Sequence, residues 1–240
     1  MEPRRTLAAA LIGGTAVYAG AWAYGLARPV TPEEKALALP GDELLADEPH
    51  RRIEVAITIN ASPEQIWPYL AQLGQRKAGF YSFSILEQLT GFHIYNTYRV
   101  IPEWAHKEPG EFMYYHQAGV GSEIVEVQEN SYFTSISDSR RSAKDPGAIG
   151  LVPPGCDFFA WTWNFHLLPQ PDGATRLLCR TDVAWAPMDA VRFTYLAGTL
   201  GAASFMMLHR MLETIKKCSE GRHPAYSRDE RFWRIMGAKH

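Results

Sequence analysis

The most constraining feature of this sequence is a pair of long strand patterns joined by a short turn. Asp157 to Leu168 alternates so that large apolar residues share one face: Phe159, Trp161, Trp163, Phe165 and Leu167. After a turn that contains Asp172 and Gly173, Thr175 to Trp185 alternates in the same way. Period-two alternation is typical of strands with one buried face. The pair therefore predicts an antiparallel sheet whose inner face is lined with aromatic rings.

Other patterns predict the elements that pair with these strands and cover them. Further β-rich runs predict strands at residues 53–59, 111–117, 122–128 and 132–138. Ser62, Pro63 and Gln65 form a capping pattern at the start of one helix, and residues 82–90 predict a second short helix. Residues 188–219 carry an apolar stripe at three- and four-residue steps, which is typical of a long amphipathic helix.

Together, these patterns predict an α+β fold. An antiparallel sheet has one face to bury, and the long C-terminal helix can cover it. We therefore expect a curved antiparallel β-sheet wrapped around that helix, with an additional apolar helix at the N-terminus. A gap between the sheet and the helix would form a ligand cavity.

Composition excludes several classes of protein. The 240 residues suit one domain with an appendage, and a hydrophobic content of 46% excludes a disordered chain. Basic residues number 24 and acidic residues 26, so the net charge is −2 and the basic surplus of a nucleic-acid-binding protein is missing. Three cysteines, none in CxxC spacing, exclude a disulfide-rich scaffold.

The N-terminal segment predicts contact with a membrane. Residues 7–26 carry no charge, while Arg4 and Arg5 precede them and Arg28 follows. As a helix this run would span roughly 30 Å, the thickness of a bilayer core. We expect residues 1–28 to hold a single-pass anchor. The alternatives are a cleaved signal peptide, which would lead to a secreted protein, and a helix packed in the domain.

The rest of the chain divides by composition. Residues 29–50 are rich in proline and acidic residues and predict a linker with at most a short helix. Residues 51–221 form the predicted ligand-binding domain, and residues 222–240 form a polar tail. Within the domain, residues 139–156 hold three glycines and three prolines without periodicity, which predicts a long loop.

Several of these segments resemble one known superfamily. The matching features are the strand-to-helix run Ile59–Trp67, Gly79–Ser82 with Glu87, Asn96, Arg99, Pro102–Trp104 leading to Pro109–Glu111, Trp161–Trp163, and the helix end Met207–Lys216. Over about residues 52–219 the chain resembles the START-like helix-grip (SRPBCC) superfamily, and its bacterial polyketide cyclase/dehydrase and lipid-transport branch. The resemblance implies a sheet that grips a long helix around a cavity, and it leaves the function open.

Candidate ligand-binding residues come from two stretches and the long helix. Rings from residues 80–104 and 158–165 are expected to form the mouth and the wall of one apolar cavity, although plain core packing is the alternative. Methionines adapt their shape to irregular ligands. The candidates are Tyr81, Glu87, Asn96, Arg99, Trp161, Trp163, Phe165, Met207 and Met211.

Catalytic candidates are fewer. Glu87 or His116 could transfer protons, and Arg99 could clamp a carbonyl or a carboxylate. An alternative for Glu87 and Arg99 is a structural ion pair. The sequence holds no HExxH, G-x-S-x-G, P-loop or G-x-G-x-x-G motif, so no metal and no cofactor is expected.

Two functions follow as hypotheses. The first is binding of a hydrophobic small molecule, such as a lipid, polyketide or isoprenoid-like compound, for carriage or presentation at a membrane. The second is a cofactor-independent cyclase, dehydratase or isomerase that acts on a polyketide-like substrate in the same cavity. A third reading is an interaction module whose cavity is filled by its own side chains.

Overall fold

The computed structural model describes residues 20, 30–141, 145–194, 196 and 201–222. The expected apolar helix and anchor within residues 1–28 lie outside the described residues, apart from Gly20, and so does the tail over 222–240, apart from Arg222. None of the helices in the described part combines the length and the hydropathy that crossing a bilayer requires.

The described part of the chain is α+β, as predicted. Its strands are β1 (Arg51–Ile59), β2 (Phe112–Tyr114), β3 (Gly121–Gln128), β4 (Tyr132–Asp138), β5 (Phe158–Thr162), β6 (Asn164–Pro169) and β7 (Thr175–Ala186). Its helices are α1 (Pro32–Ala36), α2 (Pro63–Ala71), α3 (Ser84–Leu89), α4 (Ala190–Phe193) and α5 (Gly201–Ser219), with a 3-10 turn at Pro102–Trp104. The strand expected at 111–117 is shortened to β2.

The seven strands form one antiparallel sheet in the order β1-β7-β5-β4-β3-β2, and β6 pairs with both β4 and β7. Helix α5 lies against β1 and α2, so it covers the inner face of the sheet. Buried apolar side chains of α5, among them Met211, Leu212 and Ile215, join the main core with residues of β1 and α2. This is the predicted arrangement of a sheet and a C-terminal helix. Within the single helix expected over 188–219, the described residues form the separate helices α4 and α5, and residues 195 and 197–200 lie outside the described part.

Strands β5 and β6 are one continuous strand in register, interrupted only at Trp163. Phe158 pairs with Ala186 and Asn164 pairs with Arg180, so both halves share one register against β7. At the interruption, side-chain oxygens accept hydrogen bonds from backbone N–H groups of the neighbouring strands. Thr162 Oγ1 accepts from the backbone N–H of Asp182 at 3.1 Å, and Asn164 Oδ1 accepts from that of Ser135 at 3.2 Å. The backbone polar groups are therefore satisfied where the strand departs from regular pairing.

Residues 30–47 pack on the outer face of the sheet, where the sequence predicts a linker. Arg180 of β7 is fully buried there, and its guanidinium binds Glu54 of β1 at 2.8 Å and Asp42 of this segment at 2.7 Å. It also donates to the carbonyl oxygens of Glu34 and Leu37, both at 3.0 Å. We call residues 30–47 the arm. The segment contains one short helix, α1, which is within the limit of at most a short helix set by the sequence.

Two further contacts hold the arm in place. Arg176 of β7 binds Glu34 through two bonds of 2.6 and 3.0 Å. Gly41, at a φ of 94°, passes so close to Asn164 that a Cβ there would come within 2.6 Å of the Asn164 amide. The Asn164 side chain donates to the Gly41 carbonyl at 3.2 Å. A larger residue at position 41 would lift the arm off the sheet.

The loop predicted at 139–156 lies partly against the β2–β3 turn. The backbone N–H of Ile149 donates to the carbonyl of Gly119 at 2.9 Å, and Val120 forms an isolated parallel bridge with Ile149. Residues 142–144 of this loop are outside the described part.

The buried Arg180 network predicts an asymmetry between two arginines of β7. Arg180→Met leaves Glu54 and Asp42 without their shared cation, so we expect the free energy of unfolding to fall by about 3–5 kcal/mol. Arg176→Gln, on the same strand and against the same arm, removes a more exposed pair and should cost about 1 kcal/mol. Urea denaturation of both variants measures the difference. Equal losses would contradict the role assigned to Arg180.

Candidate functional site

Two chambers lie side by side between the inner face of the sheet and helix α5. The first, which we call the β7 chamber, has a volume of about 270 Å³. Its lining comprises Arg51, Ile53, Tyr115, Phe159, Trp161, Trp163, Thr181, Val183, Trp185, Leu196, Ser204, Met207 and Leu208. The second, the α3 chamber, measures about 390 Å³. Its lining comprises Phe80, Ser82, Phe83, Leu86, Glu87, Thr90, Phe92, Ile94, Tyr115, Trp163, Met206, Met207, Leu208 and Met211.

Four side chains belong to both chambers and form the divide between them. Tyr115 and Trp163 stand on the sheet side of the divide, and Met207 and Leu208 stand on the α5 side. Met207 is half-buried and Leu208 is buried. The chambers are therefore neighbours that share these four lining residues.

The sheet side of the divide is an aromatic cluster of Phe80, Tyr115, Trp161 and Trp163. The ring of Tyr115 lies 5.4 Å from that of Trp163 and 6.1 Å from that of Trp161, measured between centroids. The Phe80 ring lies 5.6 Å from both Tyr115 and Trp163. Offset rings at these separations attract each other beyond the area they bury.

Hydrogen bonds fix the polar atoms of this cluster. The Tyr115 hydroxyl donates to Ser122 Oγ at 2.6 Å, and Trp163 Nε1 donates to the Sγ of Cys179 at 3.0 Å. Burial raises the pKa of the Tyr115 hydroxyl and of the Cys179 thiol well above their ordinary values. Both groups stay protonated near neutral pH, so neither supplies a base or a nucleophile.

Polar side chains are few and differ between the chambers. Among the described lining residues, Arg51 is the cationic one in the β7 chamber and Glu87 is the acidic one in the α3 chamber. Glu87 is only 6% exposed. Ser82, beside it on the same wall, is 3% exposed, and its hydroxyl has no hydrogen-bond partner among the described residues. Each chamber is therefore an apolar space with a small polar region, which is cationic in the β7 chamber and acidic in the α3 chamber.

The structure brings five of the predicted binding residues to the chamber walls. They are Glu87, Trp161, Trp163, Met207 and Met211. Phe165 shares their strand face but is fully buried behind them, with its ring 5.2 Å from Trp163 and 4.9 Å from Phe133. Phe165 is therefore in the position of a core residue that supports the wall.

Tyr81 and Asn96 are brought together, but away from the chamber linings. Tyr81 has a positive φ of 55°, and its backbone N–H donates to Asn96 Oδ1 at 2.8 Å. Asn96 Nδ2 donates to the carbonyl of Ser82 at 3.1 Å. Asn96 thus holds the turn whose neighbours, Phe80 and Ser82, line the α3 chamber. Its position is that of a brace for the wall.

Arg99 and His116 lie outside both chambers. The Arg99 side chain is exposed, and its carbonyl accepts from the buried Gln72 at 3.0 Å. No ion pair between Arg99 and Glu87 occurs in the described part of the chain. His116 lies in the β2–β3 turn instead of a strand, and its Nδ1 accepts from the Ala118 N–H at 3.0 Å. Its ring packs against Phe92, which lines the α3 chamber, but His116 itself is not part of the lining.

Two residues with a role at the site, Tyr115 and Gln72, were not predicted from the sequence. Tyr115 lies at the divide because the strand expected at 111–117 ends early and the chain turns there. Gln72, fully buried, donates to the hydroxyl of Tyr81 at 2.5 Å and accepts from the N–H of Ile101 at 3.1 Å. Burial also raises the pKa of Tyr81 well above its usual value. A polar residue near the end of a helix gives no sequence signal of such a role.

The described residues contain no group of three or more His, Cys, Asp or Glu side chains placed to hold a metal ion. The chamber walls of this part carry one carboxylate, Glu87, and one guanidinium, Arg51. Such a site can bind an apolar molecule, orient its polar groups and, through Glu87, exchange a proton.

No protein-family model matches the chain, and no curated protein sequence matches it. Similar solved structures include hypothetical protein jhp0584 from Helicobacter pylori, which is 9% identical, with 77% of this chain and 96% of that chain covered and a TM-score of 0.46. Protein MLL2253 from Mesorhizobium loti is 16% identical. The alignment covers 72% of this chain and 99% of that chain, with a TM-score of 0.37. DynU16, from the dynemicin biosynthetic locus, is 12% identical. The alignment covers 73% of this chain and 51% of that chain, with a TM-score of 0.40.

The placement of Asn96 predicts that it acts on stability. Asn96→Ala leaves the N–H of Tyr81 and the carbonyl of Ser82 without partners, so we expect unfolding to become easier by about 1–3 kcal/mol. Arg99→Ala changes an exposed side chain and should cost less than about 0.5 kcal/mol. Thermal and urea unfolding of the two variants gives the comparison. An Asn96→Ala variant as stable as the wild type would rule out the bracing role.

Proposed function

We propose that this protein binds a hydrophobic small molecule, of the lipid, polyketide or isoprenoid-like type, between its sheet and helix α5, for carriage or presentation at a membrane. The observation that carries the proposal is the pair of apolar chambers, of about 270 and 390 Å³, lined by rings and methionines. Ligand pockets of proteins have volumes of roughly 300–1,000 Å³ and mostly apolar walls with a few polar groups. The resemblance to the helix-grip superfamily is in keeping with this function.

The physical basis of binding would be burial of apolar surface, worth about 25 cal/mol per Å². Met206, Met207 and Met211 of α5 face the chambers opposite the aromatic wall. Methionine side chains are unbranched and polarizable, so they can adjust to ligands of different outline. The aromatic wall, in contrast, is held by hydrogen bonds and supplies a fixed surface. This combination of a fixed wall and an adjustable wall suits ligands that share one overall shape but differ in their substituents.

The membrane part of the proposal draws on the uncharged run at residues 7–26. A chain anchored by such a segment would hold its cavity next to the bilayer that supplies or receives the ligand. A carrier must then exchange ligand with membranes, which makes transfer between vesicles the decisive activity.

Met207→Trp tests this proposal, because Met207 contacts both chambers and a larger side chain would fill the space at their divide. In vesicles that contain the full chain, we expect transfer of a fluorescent fatty-acid analogue to acceptor vesicles to slow at least about tenfold. Met188→Trp adds the same ring at a position that is 51% exposed and outside the chambers, and it should transfer like the wild type. If a folded Met207→Trp variant transferred the analogue at the wild-type rate, the carrier proposal would be contradicted.

A second candidate function rests on Glu87. A carboxylate buried in the wall of an apolar chamber is placed to take a proton from a bound substrate or to give one. A cyclase, dehydratase or isomerase can obtain much of its rate enhancement from holding a flexible substrate in a reactive conformation. This candidate needs no group beyond those on the chamber walls.

Glu87→Gln separates the two functions, since it keeps the size of the side chain and removes the proton acceptor. If Glu87 is catalytic, turnover of a polyketide-like substrate should fall at least about a hundredfold, while the Kd of the substrate changes by less than about threefold. Arg99→Gln and His116→Gln lie outside the chambers and serve as controls with normal turnover. Product formation that survives Glu87→Gln would exclude the catalytic role, and binding without any product would leave the carrier function alone.

A further inference from the structure

Each chamber by itself is small for a lipid-sized ligand. The β7 chamber, at about 270 Å³, lies below the usual range of ligand pockets, and the α3 chamber, at about 390 Å³, lies near its lower end. The two share the lining residues Tyr115, Trp163, Met207 and Leu208. Movement of these shared side chains could therefore join the chambers.

The divide has a fixed side and an adjustable side. Tyr115 and Trp163 are each held by a hydrogen bond, to Ser122 Oγ and to Cys179 Sγ, so the aromatic side resists rotation. Opposite them stands Met207, which is half-buried and has three rotatable bonds. Rotation of Met207 would open a passage over the aromatic rings without disturbing the sheet.

The polar groups of the two chambers have opposite character. Arg51 pairs with Val183 in the β1–β7 register, so both side chains point to the inner face and line the β7 chamber. At the other end, Glu87 and the buried hydroxyl of Ser82 line the α3 chamber. A guanidinium binds carbonyl and carboxylate oxygens, whereas a carboxylate binds hydroxyl or amine donors.

We propose that the β7 and α3 chambers form one site for a single elongated apolar ligand that passes between Met207 and the Tyr115–Trp163 pair. Its acceptor or anionic group lies beside Arg51, and its hydroxyl or amine group lies beside Glu87 and Ser82. The ligand class is thus a long-chain molecule with an acceptor at one end and a donor at the other, as in an ω-hydroxy acid. This inference rests on the proposed function and specifies its ligand.

The experiment uses the full chain in lipid nanodiscs, with n-alkanoic acids of increasing length and their ω-hydroxy counterparts as probes. Competition against a fluorescent fatty-acid analogue gives affinities, and native mass spectrometry gives the number of acids bound per chain. Ser204→Trp fills only the β7 chamber and Met206→Trp fills only the α3 chamber, while Met188→Trp is the control outside both. Thermal unfolding checks each variant, and Thr181→Met and Thr90→Met replace any blocking variant that fails to fold.

For one continuous site, a long acid binds once per chain, and either blocking substitution weakens it at least about tenfold. The ω-hydroxyl group should strengthen binding to the wild type, and Glu87→Gln should abolish that gain. Arg51→Met should weaken the acids more than the matching n-alkanols.

The alternative outcomes are distinct. If two acids bind per chain and each blocking substitution removes one of them without weakening the other, the chambers are separate sites, and only this inference fails. The same holds if the ω-hydroxyl gain survives Glu87→Gln. If neither the fluorescent analogue nor any member of the series binds, the proposed function fails together with it.

Discussion

The buried guanidinium of Arg180 is the interaction on which the rest of the structure depends. In the β1–β7 register, Arg180 lies directly opposite Glu54, and Asp182 lies directly opposite Arg52. Two ion pairs therefore join the strands, one with its cation on β7 and the other with its cation on β1. A slip of two residues would bring Arg52 opposite Arg180 in one direction and Glu54 opposite Asp182 in the other. A slip of one residue would exchange the faces of the strand. Like charges and buried unpaired charges are costly, so these pairs select the register that points Thr181, Val183 and Trp185 at the cavity.

The arm extends this constraint to the aromatic wall. Asn164 lies beside the interruption at Trp163, and its side chain bonds both Ser135 of β4 and Gly41 of the arm. Trp163 therefore stands between two polar neighbours, Thr162 and Asn164, whose side chains complete the bonding that the strand gives up. The outer face of β7 carries the ion-paired side chains Arg180 and Asp182 beside a small apolar contact between Leu178 and the arm, and the inner face borders the β7 chamber. One strand carries both properties because its side chains alternate.

Sequence periodicity was sufficient for the antiparallel sheet, the order of elements along the chain and the inner-facing rings, because alternation reports directly which side chains share a face. It did not predict the order of the strands within the sheet. The arm was missed because proline and acidic residues resemble a linker, and its partner Arg180 lies 138 residues from Asp42. Arg99 was assigned to the cavity from its place in the 80–104 segment and from the family resemblance, and His116 from its place in the strand expected at 111–117. In irregular segments no period indicates the direction of a side chain, and local bonds, such as that of His116 to Ala118, decide it. Tyr115 was missed for the same reason.

The separation of the two faces also explains how an incompletely filled interior is tolerated. Rings and methionines that border a void lose dispersion contacts on that side, so the chambers lower the stability of the ligand-free fold. The ion pairs of Arg180 and Arg52 involve none of the residues that line the chambers, so they hold the register of β1 and β7 without occupying ligand space. A bound ligand would restore the missing contacts and, because it binds only the folded state, would raise the free energy of unfolding with its concentration. On β7, the ion-paired side chains Arg180 and Asp182 lie on the face opposite the chamber residues Thr181, Val183 and Trp185, so substitutions of the ion pairs do not alter the chamber lining.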